Sequence, residues 1–268
     1  TAAMLENVDV LVYDIQDVGA RFYTYISTMA LCMEAAAEAG IPYIVLDRPN
    51  PLGGIIVDGP VLPDSLRSFV GYLPIPTVYG LTIGELASMA NTEGWLGPHL
   101  RAELTIIPME GWTRTMHWVD TGLPWIPPSP NIRWAWTPLV YPATCYLEAT
   151  NISEGRGTDN PFALFGGPFI DSAAAIATQL NAAGHQWLRA GDTTFVPASS
   201  KYRGTACQGG VISIQPIDSA RPVVAGLEIL AILARSCTDS LRVNRALLRR
   251  LLGDPEAFEL LLAGTPVP

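Results

Sequence analysis

Short apolar runs alternate with helical periodicity along the first part of the chain. Residues 8–14 form an apolar, β-branched run that ends in an acid, which is typical of a parallel strand covered on both faces. Apolar residues then recur at helical spacing from Ile26 to Ala37, and Gly40 supplies a C-terminal stop signal. Residues 41–47 form a second apolar run that also ends in an acid. This order predicts a βαβ unit with two parallel strands and a right-handed crossover.

The rest of the pattern predicts one more strand and helix in this domain and then a second domain. Thr82 and Glu85 form a capping-box pattern that opens a helix through Asn91. We further predict strands at residues 104–109, 194–197 and 210–215, and helices at residues 171–183, 222–235 and 240–252. The predicted fold class is α/β, with a Rossmann-like parallel-sheet domain at residues 1–115 and a smaller α+β domain at residues 116–268.

Composition narrows the class of protein. The chain has 268 residues, 49% of them hydrophobic and 15% charged, which is typical of a globular protein with a substantial core. The formal net charge of -9 and the lack of a basic stripe argue against nucleic acid as a partner. No apolar run approaches the ~20 residues that a membrane span needs. We therefore expect neither a nucleic-acid partner nor a membrane span.

The cysteines and histidines predict no metal site and no disulfide scaffold. The four cysteines form no Cys-x-x-Cys pair, and the three histidines are distant from them and from one another. We expect four buried free thiols, because free cysteine usually behaves as a small hydrophobic residue.

Polar residues follow the two predicted strands at the end where open parallel sheets bind ligands. These candidates for a ligand site are Asp14, Asp17, Arg21, Asp47, Arg48 and Asn50. An alternative interpretation is that they cap helices and pair with one another at the rim of the sheet.

A second polar cluster lies in residues 141–162. Glu148, Glu154 and Arg156 fall within it, and two glycines flank the arginine, as in a loop whose backbone approaches a ligand while the guanidinium binds an oxygen-rich group. A solvated turn with a local ion pair would give the same pattern. Five tryptophans between residues 112 and 136 suit stacking on sugars but also core packing.

Abundant carboxylates with hydroxyl, amide and guanidinium donors favour carbohydrate chemistry. In glycoside hydrolysis one carboxylic acid protonates the leaving oxygen, and a second carboxylate or the substrate stabilises the oxocarbenium-like centre. The candidates are Glu148, Glu154, Asp14, Asp17 and Asp47. Composition does not choose among them, and it does not separate a glycosidase from a non-catalytic sugar-binding protein.

Five runs of sequence carry a family resemblance. They are 8–25 (VDVLVYDIQDVGARFYTY), 46–54 (LDRPNPLGG), 127–131 (PPSPN), 147–158 (LEATNISEGRGT) and 200–202 (SKY). With these runs the chain resembles the bacterial DUF1343 family, the NamZ-type exo-β-N-acetylmuramidases of glycoside hydrolase family 171. The resemblance implies a hydrolase that removes terminal N-acetylmuramic acid (MurNAc) from the non-reducing end of peptidoglycan fragments such as MurNAc-GlcNAc. It implies no metal or nucleotide cofactor and favours the bacterial cell envelope or a secreted location. The alternative is a muropeptide- or sugar-binding protein without hydrolysis.

The resemblance also selects site residues. Glu154 and Glu148 are the candidate acid/base or transition-state-stabilising groups, and Asp14 and Asp17 support them. The residues that the resemblance implies for substrate binding are Arg21, Tyr25, Asp47, Arg48, Asn50, Asn131, Asn151, Arg156 and Lys201. Members of the family also carry an N-terminal portion with a Pro-Glu-His-Gly motif, whose glutamate is a candidate acid, and this chain begins after it. The resemblance therefore implies an N-terminally incomplete first domain, and the activity of this chain by itself is left open.

Overall fold

The computed structural model describes residues 2–215, 217–254 and 256–262. These residues divide into two compact units. The first holds the residues up to Val57 together with Val61–Leu123, and the second holds Asp58–Pro60 together with the residues from Pro124 onward. The boundary predicted after residue 115 stays a prediction. No described helix combines the length and the apolar character that crossing a membrane would require.

A three-stranded parallel sheet organises the first unit. Its strands are β1 (Leu11–Tyr13), β2 (Tyr43–Leu46) and β3 (Leu104–Ile107), in the order β1-β2-β3. The helices of this unit are α1 (Ala2–Leu5), α2 (Tyr25–Ala39) and α3 (Ile83–Thr92), with short 3-10 turns at Asp64–Leu66 and Trp118–Thr121. The predicted βαβ unit, the third strand and the parallel pairing are confirmed.

The ends of α2 and α3 follow the signals in the sequence. Gly40 ends α2 in the left-handed conformation at φ 66°, and its N–H donates to the carbonyls of Ala36 and Ala37. Thr82 begins α3 with both hydrogen bonds of a capping box to Glu85. The fixed start of α3 lies beside the carboxyl end of β2, because Asp47 also bonds to its first turn.

The expectation that β1 is covered on both faces is wrong for the described residues. Val12 is 55% exposed and Val10 is 40% exposed, whereas Tyr13 is buried at 4%. The reason is that α2 packs on one side of the strand, while no described element of this unit covers the side chain of Val12.

The second unit contains a three-stranded antiparallel sheet. Its strands are β4 (Leu164–Gly167), β5 (Leu188–Phe195) and β6 (Cys207–Ile214), in the order β4-β6-β5. The helices are α4 (Thr137–Thr144), α5 (Ala173–Ala182), α6 (Pro222–Ser236), α7 (Arg245–Leu252) and α8 (Ala257–Leu262), with a 3-10 helix at Cys145–Ala149. The two units together confirm the predicted fold class, a Rossmann-like α/β domain followed by a smaller α+β domain.

Several predicted elements of the second unit shift, and β4 and α4 were missed. The strand predicted at 194–197 is in fact β5, which ends at Phe195. The helix predicted from residue 240 begins at Arg245, because the side chain of Asn244 accepts the N–H of Leu247 and caps it there. Of the four cysteines, all are free, but only three are buried, since the side chain of Cys32 is half-exposed.

Candidate active site

The strand-end cluster of the first unit includes one accessible ion pair. Arg48 donates from Nε to Oδ1 of Asp14 at 2.8 Å, and its Nη2 lies 2.5 Å from the same oxygen. The two side chains are 38% and 48% exposed. Such exposed pairs stabilise a fold by less than about 1 kcal/mol, so both groups can exchange this contact for one with a ligand at little cost.

Asp47 caps a helix. Its Oδ1 accepts the N–H of Gly84 at 2.7 Å, and its Oδ2 accepts the hydroxyl of Thr82 at 2.8 Å. The carboxylate therefore compensates the unpaired N–H groups and the dipole at the start of α3. For Asp47, these contacts agree with the alternative interpretation that the strand-end residues cap helices. A contact of Asp47 with substrate stays a prediction.

Asp17 is a buried carboxyl with one occupied and one free oxygen. Oδ2 accepts the N–H of Gly19 at 2.7 Å and the hydroxyl of Tyr79. Oδ1 is buried and has no hydrogen-bond partner among the described residues. Burial raises the pKa of Asp17 to about 7, although the hydrogen bonds from Tyr79 and the backbone oppose this shift. At neutral pH a proton on Asp17 belongs on Oδ1, because Oδ2 already accepts two donors.

Three further strand-end candidates hold loops in place. Asn50 is buried, accepts the N–H of Leu52 at 2.9 Å and donates to the carbonyl of Leu81 at 2.9 Å. Arg21 is fully buried, and its Nη1 donates to the carbonyl of Ile75 at 2.8 Å. Tyr25 is the first residue of α2 and is half-buried. Substrate contact by these three residues stays a prediction.

In the second unit, a buried carboxylate forms the centre of a charged network. Glu154 has a side chain that is only 3% exposed, and both of its oxygens are paired. Oε2 lies 2.9 Å from Nζ of Lys201, and Oε1 lies 3.0 Å from Nε of Arg156. Lys201 also donates to the carbonyls of Leu147 and Ile152, each at 2.9 Å. All three protons of the ammonium group are therefore committed inside the unit.

Arg156 joins the buried carboxylate to an accessible one. Its Nη2 donates to Oε1 of Glu148 at 2.5 Å, and the side chains of Arg156 and Glu148 are each 30% exposed. Burial opposes its charge, but the carboxylates of Glu148 and Glu154 raise the pKa of Arg156, so it stays a cation. Nη1 of Arg156 and Oε2 of Glu148 make no hydrogen bond to the part of the chain that the structure describes.

The loop that carries Arg156 needs its two glycines. Gly155 and Gly157 have φ values of 75° and 83°, where residues with a side chain are strained. A Cβ on Gly157 would lie 2.5 Å from backbone atoms of Ser199. The guanidinium of Arg156 also lies 5.1 Å from the ring centroid of Phe162. Close backbone packing thus sets the position of the arginine.

The other candidate residues of the second unit differ in how far their side chains are free to contact a ligand. Asn151 accepts the N–H of Arg242 at 2.7 Å and donates to the carbonyl of Ser240 at 2.9 Å, which ties two segments together. Asn131 is half-buried, and its side chain makes no hydrogen bond to the described residues. In the tryptophan-rich stretch, Trp118 is buried, whereas Trp134 is 41% exposed beneath the guanidinium of Arg133.

The structure therefore brings the sequence candidates together in two sets, each within one unit. One set is Asp14 with Arg48, and the other is Glu148, Glu154, Arg156 and Lys201. Sequence reasoning missed Tyr79, the hydrogen-bond donor to Asp17, because an isolated tyrosine in a proline-rich loop carries no signal. In the described ranges, no group of three or more His, Cys, Asp or Glu side chains is placed to hold a metal ion.

Comparison with known proteins identifies the family. The model of the N-terminal region of exo-beta-N-acetylmuramidase NamZ matches residues 1–135, and the model of its C-terminal region matches residues 139–267. The chain belongs to the NamZ family. It is 49% identical over 230 residues to the peptidoglycan beta-N-acetylmuramidase NamZ of Bacillus subtilis (strain 168), a match that covers 86% of this chain and 54% of that protein. The chain thus spans about half the length of the curated relative that it matches.

Two solved structures of DUF1343 family proteins from Bacteroides fragilis NCTC 9343 show the same fold as this NamZ-family chain. One aligns with a TM-score of 0.89 and 36% identity, covering 97% of this chain and 68% of the other. The second aligns with a TM-score of 0.80 and 32% identity, covering 100% of this chain and 71% of the other. The resemblance that the five sequence runs predicted is confirmed.

Proposed function

We propose that this chain is part of an exo-acting β-N-acetylmuramidase, which removes the terminal MurNAc from the non-reducing end of peptidoglycan fragments. The observation that carries the proposal is that both NamZ family models match in order along nearly the whole chain. The B. subtilis relative that shares 49% identity is named for hydrolysis at N-acetylmuramic acid in peptidoglycan. A hydrolase with this substrate needs a cation for the lactyl carboxylate and an acid for the glycosidic oxygen.

Arg156 supplies the cation. Two of its nitrogens are held by Glu154 and Glu148, which fixes the plane of the guanidinium, and Nη1 is left for a ligand. A guanidinium held in this way binds a carboxylate with little further loss of side-chain freedom. Arg48 offers a second accessible guanidinium in the first unit, where Asp14 can give up its contact.

Glu148 is the carboxylate of this network with a free oxygen. It is 30% exposed, and only its Oε1 is bound to Arg156. We assign it the acid/base or transition-state-stabilising role. Glu154 was the other candidate for this role, but its two oxygens are both occupied by cations and its side chain is 3% exposed. This geometry supports a role for Glu154 and Lys201 in positioning Arg156.

Release of MurNAc from the MurNAc-GlcNAc disaccharide tests the proposal. The chain itself and the whole coding sequence of its gene should be assayed in parallel. We expect Glu148→Gln to lower kcat by about 100- to 10,000-fold, the usual contribution of a general acid or base. Arg156→Ala should mainly raise KM, by about 10- to 100-fold, since a charge-assisted hydrogen bond contributes about 1.5–3 kcal/mol.

Asp159→Asn is the matched control. Asp159 is also a carboxylate of this unit and pairs with Arg133 at 2.7 Å, but its side chain is 84% exposed and belongs to no part of the network. Its kcat and KM should stay near those of the parent. If neither the chain nor the whole coding sequence releases MurNAc, the hydrolase proposal is rejected.

A second candidate function is saccharide binding without hydrolysis. The observation that favours it is the mutual neutralisation of the network, in which two carboxylates and two cations pair with one another. Calorimetry with the disaccharide separates the two candidates. Saturable binding without any product over a long incubation supports the binding protein, and consumption of the ligand rejects it.

A further inference from the structure

A cavity of about 310 Å³ opens on the surface of the first unit. Leu62, Asp64, Arg67, Tyr72, Trp95 and Pro98 are among the residues that line it, and we call it the Trp95 cavity. None of its lining residues belongs to the strand-end cluster or to the charged network of the second unit. Its volume lies at the lower end of the range of about 300–1,000 Å³ in which small-molecule sites fall.

One wall of the Trp95 cavity is held by a network of its own. The hydroxyl of Tyr72 lies 2.7 and 2.8 Å from the two carboxylate oxygens of Glu34, to which it donates. The guanidinium carbon of Arg67 lies 4.0 Å from the centroid of the Tyr72 ring. Its Nη2 lies 3.6 Å from Oε1 of Glu34 and 3.4 Å from the carbonyl oxygen of Trp95. A ligand would therefore meet a ring and a guanidinium that are already oriented.

The same wall has hydrogen-bonding capacity to spare. The carboxylate of Asp64 makes no hydrogen bond to the residues that the structure describes, and the five N–H groups of the Arg67 guanidinium outnumber its contacts with Trp95, Glu34 and Tyr72. Asp64 begins a 3-10 helix of which Arg67 is the C-cap, so an acceptor and a donor stand one turn apart on the rim. Both line the cavity, as does Trp95.

We propose that the Trp95 cavity is a second saccharide-binding site and that it takes an uncharged N-acetylhexosamine unit. An indole and a proline offer flat apolar surface to one face of a pyranose ring. The Asp64 carboxylate accepts from ring hydroxyls, and Arg67 donates to a hydroxyl or to the acetamido oxygen.

The charge of the cavity decides between the two sugars of the proposed substrate. Asp64 and Glu34 carry two negative charges against the one positive charge of Arg67. An excess of negative charge disfavours the lactyl carboxylate of MurNAc and is neutral toward N-acetylglucosamine. This choice of sugar rests on the proposed function, since peptidoglycan alternates these two sugars.

Titration of the protein with N-acetylglucosamine and with its β-1,4-linked disaccharide, followed by ¹H–¹⁵N spectra, tests the inference. We expect saturable shifts at Trp95 and its neighbours, and a Kd at least about tenfold weaker in Asp64→Ala and in Arg67→Gln, each of which removes a charged hydrogen-bonding partner. The Asp64 carboxylate bonds to none of the described residues, so its removal leaves the fold in place. Glu103→Ala is the matched control, because Glu103 is an exposed acid of the same unit that does not line the cavity.

Two outcomes overturn the inference. One is the absence of saturation up to about 50 mM sugar, far above the concentrations at which weak sites fill. The other is a Kd that is the same in the parent and in both cavity variants, which places the binding elsewhere. The titration involves no hydrolysis, so its failure is independent of the proposed function. If MurNAc is released but N-acetylglucosamine does not bind, only the second site is rejected.

Discussion

The Asp17→Asn variant should change the pH dependence of stability. In the folded protein, burial raises the pKa of Asp17 from its ordinary value of 3.8 to about 7. The asparagine is nearly isosteric. Its Oδ1 can accept from Gly19 and Tyr79 as Oδ2 of the aspartate does, and its amide group takes the place of the protonated oxygen that has no partner among the described residues.

The sign follows from linkage. Between about pH 4 and pH 7 the carboxyl is ionised in the unfolded chain and protonated in the folded one, so the folded state binds more protons. The contribution of this group is fully present below pH 3.8 and is lost as the pH rises through about 7. Because the two pKa values differ by about 3, the loss amounts to roughly 4 kcal/mol, at about 1.4 kcal/mol for each pKa unit.

Urea unfolding of the parent and of Asp17→Asn at pH values from 4.5 to 8.5 measures this directly. The contributions of all other titrating groups cancel in the difference between the two free energies of unfolding. As the pH rises across this range, we expect that difference to shift in favour of the variant by about 2–4 kcal/mol. Tyr13, Tyr23 and Tyr79 surround Asp17 and stay neutral, because burial raises the pKa of each of them. Arg48 lines the same small void as Asp17.

Tyr79→Phe provides a second check. The hydroxyl of Tyr79 lowers the pKa of Asp17, so its removal should move the fall in stability to higher pH. A difference between parent and Asp17→Asn that is the same at every pH would refute the reasoning, because it would mean that Asp17 ionises in the folded protein as it does in the unfolded chain.

Two further substitutions test the second unit. Asp58→Ala should lower the free energy of unfolding by about 1–3 kcal/mol, because the buried carboxylate accepts the N–H of Val223 at 2.7 Å and caps α6. Arg221→Ala removes the exposed cation but keeps the hydrogen bond from Val223, so it should cost less than Asp58→Ala. Equal losses in urea unfolding would contradict the capping role. Lys201→Met should destabilise by about 3–5 kcal/mol, since it leaves Oε2 of the buried Glu154 and the carbonyl of Ile152 without their donor. If Lys201→Met unfolds at the urea concentration of the parent, the network contributes no stability.

The first unit was largely predictable, because its signals are local. In the βαβ unit, the spacing of the apolar residues differs between the strands and the helix. Gly40 marks the end of α2 and the Thr82–Glu85 pair marks the start of α3, and each signal lies within a few residues of the helix end that it specifies. The exposed face of Val12 was not predictable, since an apolar run looks the same whether or not another element covers it. The pairing of Asp17 with Tyr79 joins residues 62 positions apart, and no periodicity reports that.

The second unit was less predictable because prolines and glycines occur inside its elements. Helix α4 contains Pro142 in its interior, a position at which sequence rules treat proline as a helix breaker, yet the helix forms with all of its residues buried. Strand β4 contains Gly166, and a Cβ at this position would lie 2.4 Å from the carbonyl oxygen of Gln208 in β6. The glycines that weaken the strand pattern are therefore the ones that let β4 and β6 approach each other.

The charged network shows where sequence reasoning about a site ends. The sequence of residues 147–158 predicts a dense polar cluster, but it does not indicate whether Glu148 or Glu154 is the catalytic group. The difference lies in Lys201, which reaches Glu154 from a distant loop and, with Arg156, occupies both of its oxygens. A loss of activity in Glu154→Gln would therefore not by itself identify an acid, because the substitution also releases Arg156. A raised KM would indicate positioning, and a lost limb of the pH–kcat profile would indicate proton transfer.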